Sequence, residues 1–303
     1  MKSRLASNAI LLLTAIIWGF SFVAQVSGSA HIGSFTMTGI RFVIGAIVLL
    51  PVILVFEKGK SDKKERKMTL IASLITGTVL FTGSALQQFG IALTSSAGIP
   101  GLITGLYMIF VPFAYFVLFK VKVGKQVWLG AVIAFTGLVF LCYKAGEGFA
   151  FGLGEILLLI GSFFWTAHIM LIDYFGKKVR CIRFSCGQFA VSGILGMIFA
   201  FIFEDVAIAS LLAAKWAILY VGVLSSGVAF TLQVIGQKRA NPNTAVIILA
   251  TESAFSAIGG FIFGIDKLTY TAVIGCVLMF GGIICSQISP KSKKVDVTEY
   301  NSN

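Results

Sequence analysis

The sequence predicts an all-α integral membrane protein with ten transmembrane helices, arranged as two inverted repeats of five helices. Its composition, the distribution of its loop charges and an internal repeat support this prediction. Of the 303 residues, 57% are hydrophobic and only 12% are charged, whereas soluble domains carry roughly 25% charged residues. A mean hydropathy of +0.96 leaves too little polar surface for a soluble globule of this size and excludes a disordered chain.

Ten apolar segments are each long enough to cross a bilayer, since a spanning helix needs about 20 apolar residues. The first is interpreted as a spanning helix and not as a cleavable signal, because nine similar segments follow it. The segments are 8–26, 35–56, 69–89, 97–119, 126–143, 153–175, 184–203, 215–235, 243–264 and 270–288.

Connections that are rich in lysine and arginine alternate along the chain with connections that are poor in them. The termini and the connections after segments 2, 4, 6 and 8 hold 20 of the 24 lysines and arginines. The other connections hold only Lys144, Lys215 and Lys267, and Arg41 lies within a segment. The positive-inside rule therefore places both termini in the cytoplasm of a multi-pass plasma-membrane protein, which we expect to be prokaryotic. These short basic runs do not indicate nucleic-acid binding. The run 57–68 is either a solvated loop or a segment that binds anionic lipid.

The two halves of the chain share four motifs in the same order. Trp18 recurs as Trp165, Ile40-Arg41-Phe42 as Ile182-Arg183-Phe184, Leu86-Gln87 as Leu232-Gln233, and the pair Gly130 and Gly137 as Gly275 and Gly282. This predicts a first repeat at 1–145, a second at 146–290 and a cytoplasmic tail at 291–303. Because five is an odd number, the second repeat enters the membrane from the opposite side, which is typical of secondary transporters that bind substrate between their halves.

With these motifs the chain resembles the EamA family of the drug/metabolite transporter superfamily. Similar motifs are Trp18-Gly19-Phe20-Ser21-Phe22 in the first segment, Leu106-Tyr107-Met108-Ile109-Phe110-Val111-Pro112 in the fourth and Glu252-Ser253-Ala254-Phe255 in the ninth. The resemblance implies a ten-span carrier, often an exporter of amino acids, metabolites or drugs. It also implies that segments 1–4 and 6–9 surround the cavity, while 5 and 10 are peripheral. The family often has a Gly-Glu pair after the ninth segment, where this chain reads Gly264-Ile265-Asp266, and no acid follows the fourth segment.

Three ionisable side chains lie well inside the apolar segments, where a charge is costly and usually faces a cavity or a partner. Glu252 lies near the midplane; it either binds a cationic group or a coupling proton, or forms a structural hydrogen bond between helices. Arg41 either meets an anionic group at the outer mouth or extends its side chain to the interface. His168 either relays protons or packs as a neutral side chain. Four further cavity candidates are Trp18, Tyr107, Trp165 and Ser253; for the three aromatic residues, packing in the core is the alternative.

Two polar sets are candidates for gates at the two ends of such a cavity. Arg41, Gln25 and Gln87 lie toward the predicted outer ends of their segments, and Arg183 and Gln233 toward the inner ends. We expect the outer set to close the inward-facing state and the inner set to close the outward-facing state. Hydrogen bonding between helices is the alternative role for the glutamines.

The sequence therefore predicts a secondary active transporter for a small amino-acid-like or drug-like molecule, an exporter that works by alternating access, as a monomer or a homodimer. It has no P-loop, and we expect no cofactor, no metal and no catalytic residue. The five cysteines show neither a CxxC pair nor the pattern of a disulfide framework. A translocase for lipids or lipid-linked sugars is the alternative within transport, and an intramembrane enzyme or a channel the alternative from another class.

Overall fold

A computed structural model describes residues 2–59, 62–120, 124–144, 148–149, 151–240, 242–267 and 269–287. The predicted tail 291–303 lies outside the described residues. The described chain forms α-helices, one π-helical segment at Tyr220–Phe230 and a minimal antiparallel ladder between β1 (Tyr143–Lys144) and β2 (Gly148–Phe149). The helices are α1 Lys2–Ser29, α2 Ser34–Phe56, α3 Lys63–Thr94, α4 Gly98–Gly105, α5 Tyr107–Phe119, α6 Lys125–Cys142, α7 Leu153–Phe175, α8 Cys181–Phe203, α9 Ile208–Ala213, α10 Lys215–Leu219, α11 Thr231–Gln237, α12 Pro242–Ala250, α13 Glu252–Ile262 and α14 Tyr270–Gln287.

Seven stretches of the described chain are helical, long and apolar enough to cross a membrane, and three shorter apolar helices lie at 128–137, 248–262 and 270–282. The bundle is apolar on its outside: Leu54 is 73% exposed and Phe203 66%. Small polar side chains such as Ser162 and Ser192 are fully buried inside it, where their hydroxyls donate to the carbonyls of Leu159 (2.6 Å) and Gly77 (2.7 Å). This arrangement fits a hydrocarbon solvent, in which polar groups must find partners within the protein. The prediction of a helical integral membrane protein is confirmed.

Helices α2 and α8 pack against each other along much of their length. Gly39 and Gly196 meet at this contact, and a Cβ atom on Gly39 would lie 2.7 Å from the backbone nitrogen of Met197. Phe42 and Phe189 stack across it with ring centroids 5.8 Å apart. Small residues at a helix contact let the two backbones approach closely, which is how membrane helices gain packing energy.

Each of these two helices ends in a glutamate that caps the other one. The Glu204 carboxylate, at the end of α8, accepts hydrogen bonds from the backbone N–H groups of Phe35 (2.8 Å) and Thr36 (2.7 Å). The Glu57 carboxylate, at the end of α2, accepts them from Ile182 (2.9 Å) and Arg183 (3.0 Å). A carboxylate at a helix N-terminus satisfies unpaired N–H groups and interacts favourably with the helix dipole. The two caps lie at opposite ends of the pair, which we call the Glu204 end and the Glu57 end.

The segments predicted at 97–119 and 243–264 are each broken near the middle. At the first break, the Leu106 N–H donates to the Ile103 carbonyl (3.1 Å), and the Leu106 carbonyl accepts from the N–H of Ile109 (2.9 Å). At the second break, the Thr251 N–H donates to the Ile248 carbonyl (3.1 Å), and the Thr251 carbonyl accepts from the N–H of Ala254 (3.0 Å). Both breaks thus contain the same tightened turn: each carbonyl accepts a hydrogen bond that spans three residues, in addition to the usual one from Phe110 (3.1 Å) or Phe255 (3.2 Å) that spans four.

The segment predicted at 215–235 is also irregular. It comprises α10, the π-helical segment and α11. The remaining predicted segments correspond to continuous helices with ends shifted by a few residues.

Candidate functional site

A narrow cavity lies inside the bundle, between residues of both halves of the chain. Side chains on α1, α2, α3, α7, the π-helical segment and α11 form most of its wall, and the breaks in the fourth and ninth segments supply the rest. Its lining residues are Trp18, Ser21, Phe22, Gln25, Arg41, Gln87, Thr104, Tyr107, Trp165, Ile169, Ser225, Phe230, Gln233 and Glu252. Eight of the eleven residues that the sequence nominated, as cavity or gate candidates, are among them.

The two broken helices bring Tyr107 and Glu252 to this cavity. Each is the first residue of a half-helix, directly after the break residue Leu106 or Thr251. Half-helices that begin inside the membrane direct their unpaired N–H groups and side chains into a cavity, which is the usual construction of a transporter binding site. Thr251 strengthens its turn with a side-chain hydrogen bond to the Ile248 carbonyl (2.7 Å).

Glu252 is 4% exposed and forms no ion pair with any residue that the structure describes. The buried hydroxyl of Tyr107 lies beside this carboxyl group and interacts with it. A buried carboxyl group is stable only when it is neutralised or paired. Because the Tyr107 hydroxyl is neutral, a proton or a bound cation is the charge partner that the described residues do not supply.

Three aromatic rings line the same cavity. Trp18 and Phe230 have ring centroids 4.6 Å apart, and Trp165 and Phe230 5.9 Å apart. The Trp18 Nε1–H donates to the carbonyl of Ser225 (3.2 Å), inside the π-helical segment. The Trp165 Nε1–H is buried without a partner among the described residues. Such a wall can hold an apolar group or, through cation–π attraction, a positively charged one.

Arg41 lies on the side of the cavity toward the Glu204 end and is 2% exposed. Its Nη1 donates to Gln25 Oε1 (2.9 Å) and its Nε to Ser226 Oγ (3.2 Å). The interpretation that Arg41 extends to the membrane interface is therefore wrong, because its guanidinium finds buried partners inside the bundle. Gln87 lies on the same side and donates from Nε2 to Thr104 Oγ1 (3.0 Å).

The predicted outer gate residues thus converge on the cavity, but the predicted inner pair does not. Gln233 lines the cavity, and its Oε1 is buried without a partner among the described residues. Arg183 lies at the Glu57 end, where its Nη2 donates to the carbonyls of Glu57 (2.8 Å) and Gly59 (2.9 Å). Helices α2 and α8 begin at Ser34 and Cys181, so equal helix positions lie 147 residues apart. On this register the counterpart of Arg41 is Gln188, and the motif match to Arg183 is shifted by five residues.

His168 and Ser253 lie outside the cavity wall, contrary to the sequence prediction. His168 Nε2 is 3.0 Å from Gln188 Oε1, and its ring packs behind Trp165 and Phe230 with centroids 5.7 and 5.9 Å away. Ser253 Oγ donates to the Gly101 carbonyl (2.7 Å), so it joins α13 to α4. Both side chains face a neighbouring helix because the turn of their own helix directs them away from the cavity.

Asp266, the displaced acid after the ninth segment, caps the start of α4. Its Oδ2 accepts from the backbone N–H groups of Ala97 (3.1 Å) and Gly98 (2.8 Å). No sequence motif indicated this contact. Phe230, Thr104 and Ser225 were likewise missed, although Thr104 and Ser225 gave a signal as polar residues within apolar segments.

A family model and several known proteins match this chain over most of its length. A family model described as "EamA-like transporter family" matches residues 6–143 and 152–287. The uncharacterized transporter YoaV of Bacillus subtilis is 23% identical over 291 residues, which are 94% of this chain and 98% of that protein. An uncharacterized transporter of Archaeoglobus fulgidus is 25% identical over 93% of this chain and 85% of its own length.

Two further similarities concern part of the chain and its fold. The uncharacterized inner membrane transporter YedA of Escherichia coli K12 is 28% identical over 50% of this chain and 48% of its own length. One crystal structure superposes with a TM-score of 0.69 at 19% identity, over 93% of this chain and 96% of that one. At this identity the likeness concerns the fold alone.

Proposed function

We propose that this protein, which belongs to the EamA-like transporter family, is a secondary transporter that exports a small metabolite by alternating access. Membership of the family makes it a membrane transporter, as the names of its relatives also indicate. The observation that carries the finer proposal is the placement of Glu252 and Tyr107 at two helix breaks facing one cavity. The proposed substrate is small and carries an amino or other cationic group, or is accompanied by a proton.

The proposal includes ten spans in two inverted repeats, 1–145 and 146–290, with a tail at 291–303. Four pairs of features support it, because each recurs at a nearly constant distance along the chain. These are the helix breaks at Leu106 and Thr251, the caps Glu57 and Glu204, the helices α2 and α8, and the helices α6 and α14. The two segments matched by the family model are also similar in length.

Alternating access then follows from exchanging the conformations of two similar halves around one cavity. In the proposed cycle, the hydrogen bonds of Arg41 with Gln25 and Ser226 close the Glu204 end, which we place on the outer side. We place the Glu57 end, both termini and most loop lysines and arginines on the cytoplasmic side of the plasma membrane of a prokaryote. Glu252 exchanges a proton or a substrate cation when the cavity is hydrated.

The first experiment identifies a ligand and tests the transport class. A thermal-shift screen of the purified protein against small metabolites should reveal compounds that raise its melting temperature, because a ligand stabilises the state it binds. The best compound, in radiolabelled form, is then tested for counterflow in proteoliposomes. We expect saturable uptake with counterflow. Flux that does not saturate would indicate a channel, and a chemically changed product would indicate an enzyme; either would overturn the proposal.

The second experiment tests the role of Glu252 with that compound. Glu252→Gln keeps the shape of the side chain and removes its charge, and Glu155→Gln is the matched control, because Glu155 binds the backbone N–H of Gly152 at the start of α7. If Glu252 carries a proton, the variant keeps exchange and loses accumulation driven by a pH gradient. If it binds a cationic substrate, affinity falls by about 1.5–3 kcal/mol, the value of a charged hydrogen bond. A variant that binds and accumulates like the parent would give Glu252 a structural role only.

Tyr107 offers an independent test of the same site. Tyr107→Phe removes the hydroxyl beside Glu252, whereas Tyr115→Phe removes one that contacts Asp173 Oδ2 (3.3 Å) away from the cavity. We expect only the first variant to change the apparent affinity for the ligand. Equal effects of the two variants would separate Tyr107 from the binding site.

A further inference from the structure

A second cavity lies on the lateral surface of the bundle, between α3 and α8 at the Glu57 end, and has a volume of about 740 Å³. It is separate from the central cavity, and the two share no lining residue. At one end stand Arg66 and Arg183, and deeper in the membrane stand Leu70, Ala190 and Val191. We call this second cavity the lateral groove.

The polar end of the lateral groove presents positive charge. The Arg66 side chain is exposed and forms no ion pair or hydrogen bond with the residues that the structure describes. Arg183 borders the same end and is anchored by its hydrogen bonds to the carbonyls of Glu57 and Gly59. Lys63, Lys64 and Lys67 add positive charge on the neighbouring turns of α3. Because the Glu57 carboxylate lies 3.9 Å from Arg183 Nε, the attraction for an anionic group comes mainly from Arg66 and the three lysines, and Arg183 supplies a second guanidinium beside them.

A buried polar group without a partner lies below this charged end. Ser73 is 4% exposed, lines the groove, and its hydroxyl has no hydrogen-bond partner among the described residues. Ser73 follows Arg66 by seven residues, so it lies about 10 Å deeper along α3. The absence of a side chain on Gly187 leaves room for this hydroxyl, because a Cβ atom there would collide with Ser73 Oγ.

Beyond its charged end, the groove is lined by apolar residues and is open to the surrounding lipid. Leu70 is 60% exposed, and Leu74 and Ile75 continue the same exposed surface of α3. Val191 lies ten residues after the start of α8, which is about 15 Å along the helix. Inward from the two arginines, the groove therefore has the exposed side chain of Leu70 on its lipid side at about 6 Å along α3, the Ser73 hydroxyl at about 10 Å, and Val191 at its deep end.

We propose that the lateral groove binds one anionic phospholipid, with its phosphate at Arg66 and Arg183, its ester region at Ser73 and an acyl chain along Leu70, Ala190 and Val191. Basic pockets between transmembrane helices on the cytoplasmic side are known to take anionic head groups. The site is independent of the proposed transport function, because it lies outside the central cavity. Free phosphate lacks an acyl chain and would use only the charged end.

The experiment is a native mass-spectrometry titration of the purified full-length protein in detergent with phosphatidylglycerol and, separately, phosphatidylcholine. We expect one phosphatidylglycerol to bind in preference to phosphatidylcholine. Arg66→Gln should weaken its binding roughly five-fold, the usual contribution of one basic residue near an anionic lipid. Lys67→Gln is the matched control: it makes the same charge change on an exposed residue that does not line the groove, and should weaken binding clearly less than Arg66→Gln does.

Two further arms distinguish a lipid from a free anion. Ala190→Phe fills the apolar channel and should weaken phosphatidylglycerol binding while leaving the charged end intact. Glycerol 3-phosphate at the same concentration should not displace the lipid. Equal losses in Arg66→Gln and Lys67→Gln, full binding in Ala190→Phe, or displacement by glycerol 3-phosphate would each overturn the proposed site.

Discussion

The reciprocal caps of α2 and α8 predict a stability effect that can be measured without knowing the substrate. Glu204→Ala removes both hydrogen bonds from the start of α2, and Glu204→Gln leaves one acceptor oxygen in place. Glu57→Ala and Glu57→Gln make the same changes at the start of α8. Asp205→Asn is the control, since Asp205 follows Glu204 directly, is exposed and makes no described hydrogen bond.

The expected magnitude follows from the number of bonds lost. A hydrogen bond to a charged group contributes about 1.5–3 kcal/mol, and both glutamates are partly exposed, so the lower value applies. Each Gln variant should therefore lower the free energy of unfolding by about 1.5 kcal/mol, and each Ala variant by about 3 kcal/mol, at the lower value per bond. The control should change it by less than about 0.5 kcal/mol, as is usual for surface substitutions.

The geometry also predicts that the two caps act independently. Helix α2 has 23 residues, so its two ends lie about 34 Å apart. Substitutions at that distance are expected to be additive. The double variant Glu57→Ala with Glu204→Ala should therefore lose about 6 kcal/mol, the sum of the two single losses.

Unfolding in mixed micelles with increasing sodium dodecyl sulfate provides the assay, followed by loss of helical circular dichroism. The Ala variants should differ from the parent by several times the effect of Asp205→Asn. A Glu204→Ala variant that unfolds with the control, or a double variant no worse than either single one, would refute the assignment of these carboxylates as stabilising caps.

Three other predictions concern topology and closure. Reporter fusions at Ser61 and Ser302, which lie outside the described residues, should both score cytoplasmic, and an external signal from either would contradict the inverted arrangement. The side chains of Gln25 and Ser226 both contact Arg41. A short bismaleimide crosslink between Gln25→Cys and Ser226→Cys should therefore stop transport, compared with the same double variant without the crosslink. Full turnover after complete crosslinking would show that these residues do not form a gate. Asp266→Ala should free the start of α4 and speed maleimide labelling of an Ala97→Cys reporter, whereas Asp205→Asn should not, and an unchanged rate would show that the cap does not hold this end closed.

The helical membrane class could be predicted from the sequence because the hydropathy of a segment depends only on the residues within that segment. It also nominated most of the cavity, since a charged or aromatic polar residue inside an apolar segment is costly unless it has a use. The helix breaks at Leu106 and Thr251 were not predicted, because neither lies at a proline: Pro112 follows the first by six residues, and Pro242 precedes the second by nine. The caps formed by Glu57, Glu204 and Asp266 were missed for a related reason. Each carboxylate binds a helix more than one hundred residues distant, which no local pattern records.

The error over Arg183 has a different origin. The shared triplet Ile-Arg-Phe favoured an alignment of Arg41 with Arg183. The helix bounds give another alignment of the two halves, because packing and capping determine where α2 and α8 begin. On that register Gln188 corresponds to Arg41, and Phe189 to Phe42, whose rings meet between the two helices. Backbone geometry is thus more alike in the two halves than their polar side chains are.

This difference between backbone and side chains has a consequence for the proposed cycle. At the Glu204 end, closure uses a guanidinium with two buried partners and the Asp266 cap on α4. Toward the Glu57 end, the corresponding pair is His168 with Gln188, joined by a single hydrogen bond, and the sequence has no acid at the place that matches Asp266. Separating charge-assisted hydrogen bonds costs more than separating one between neutral groups. If the halves exchange conformations, the two closed states are therefore unequal in energy, and the resting protein should be closed at the Glu204 end. The crosslinking experiment tests the Arg41 contacts, and Asp266→Ala tests the cap on α4; these are the two interactions that make the closed states unequal in energy.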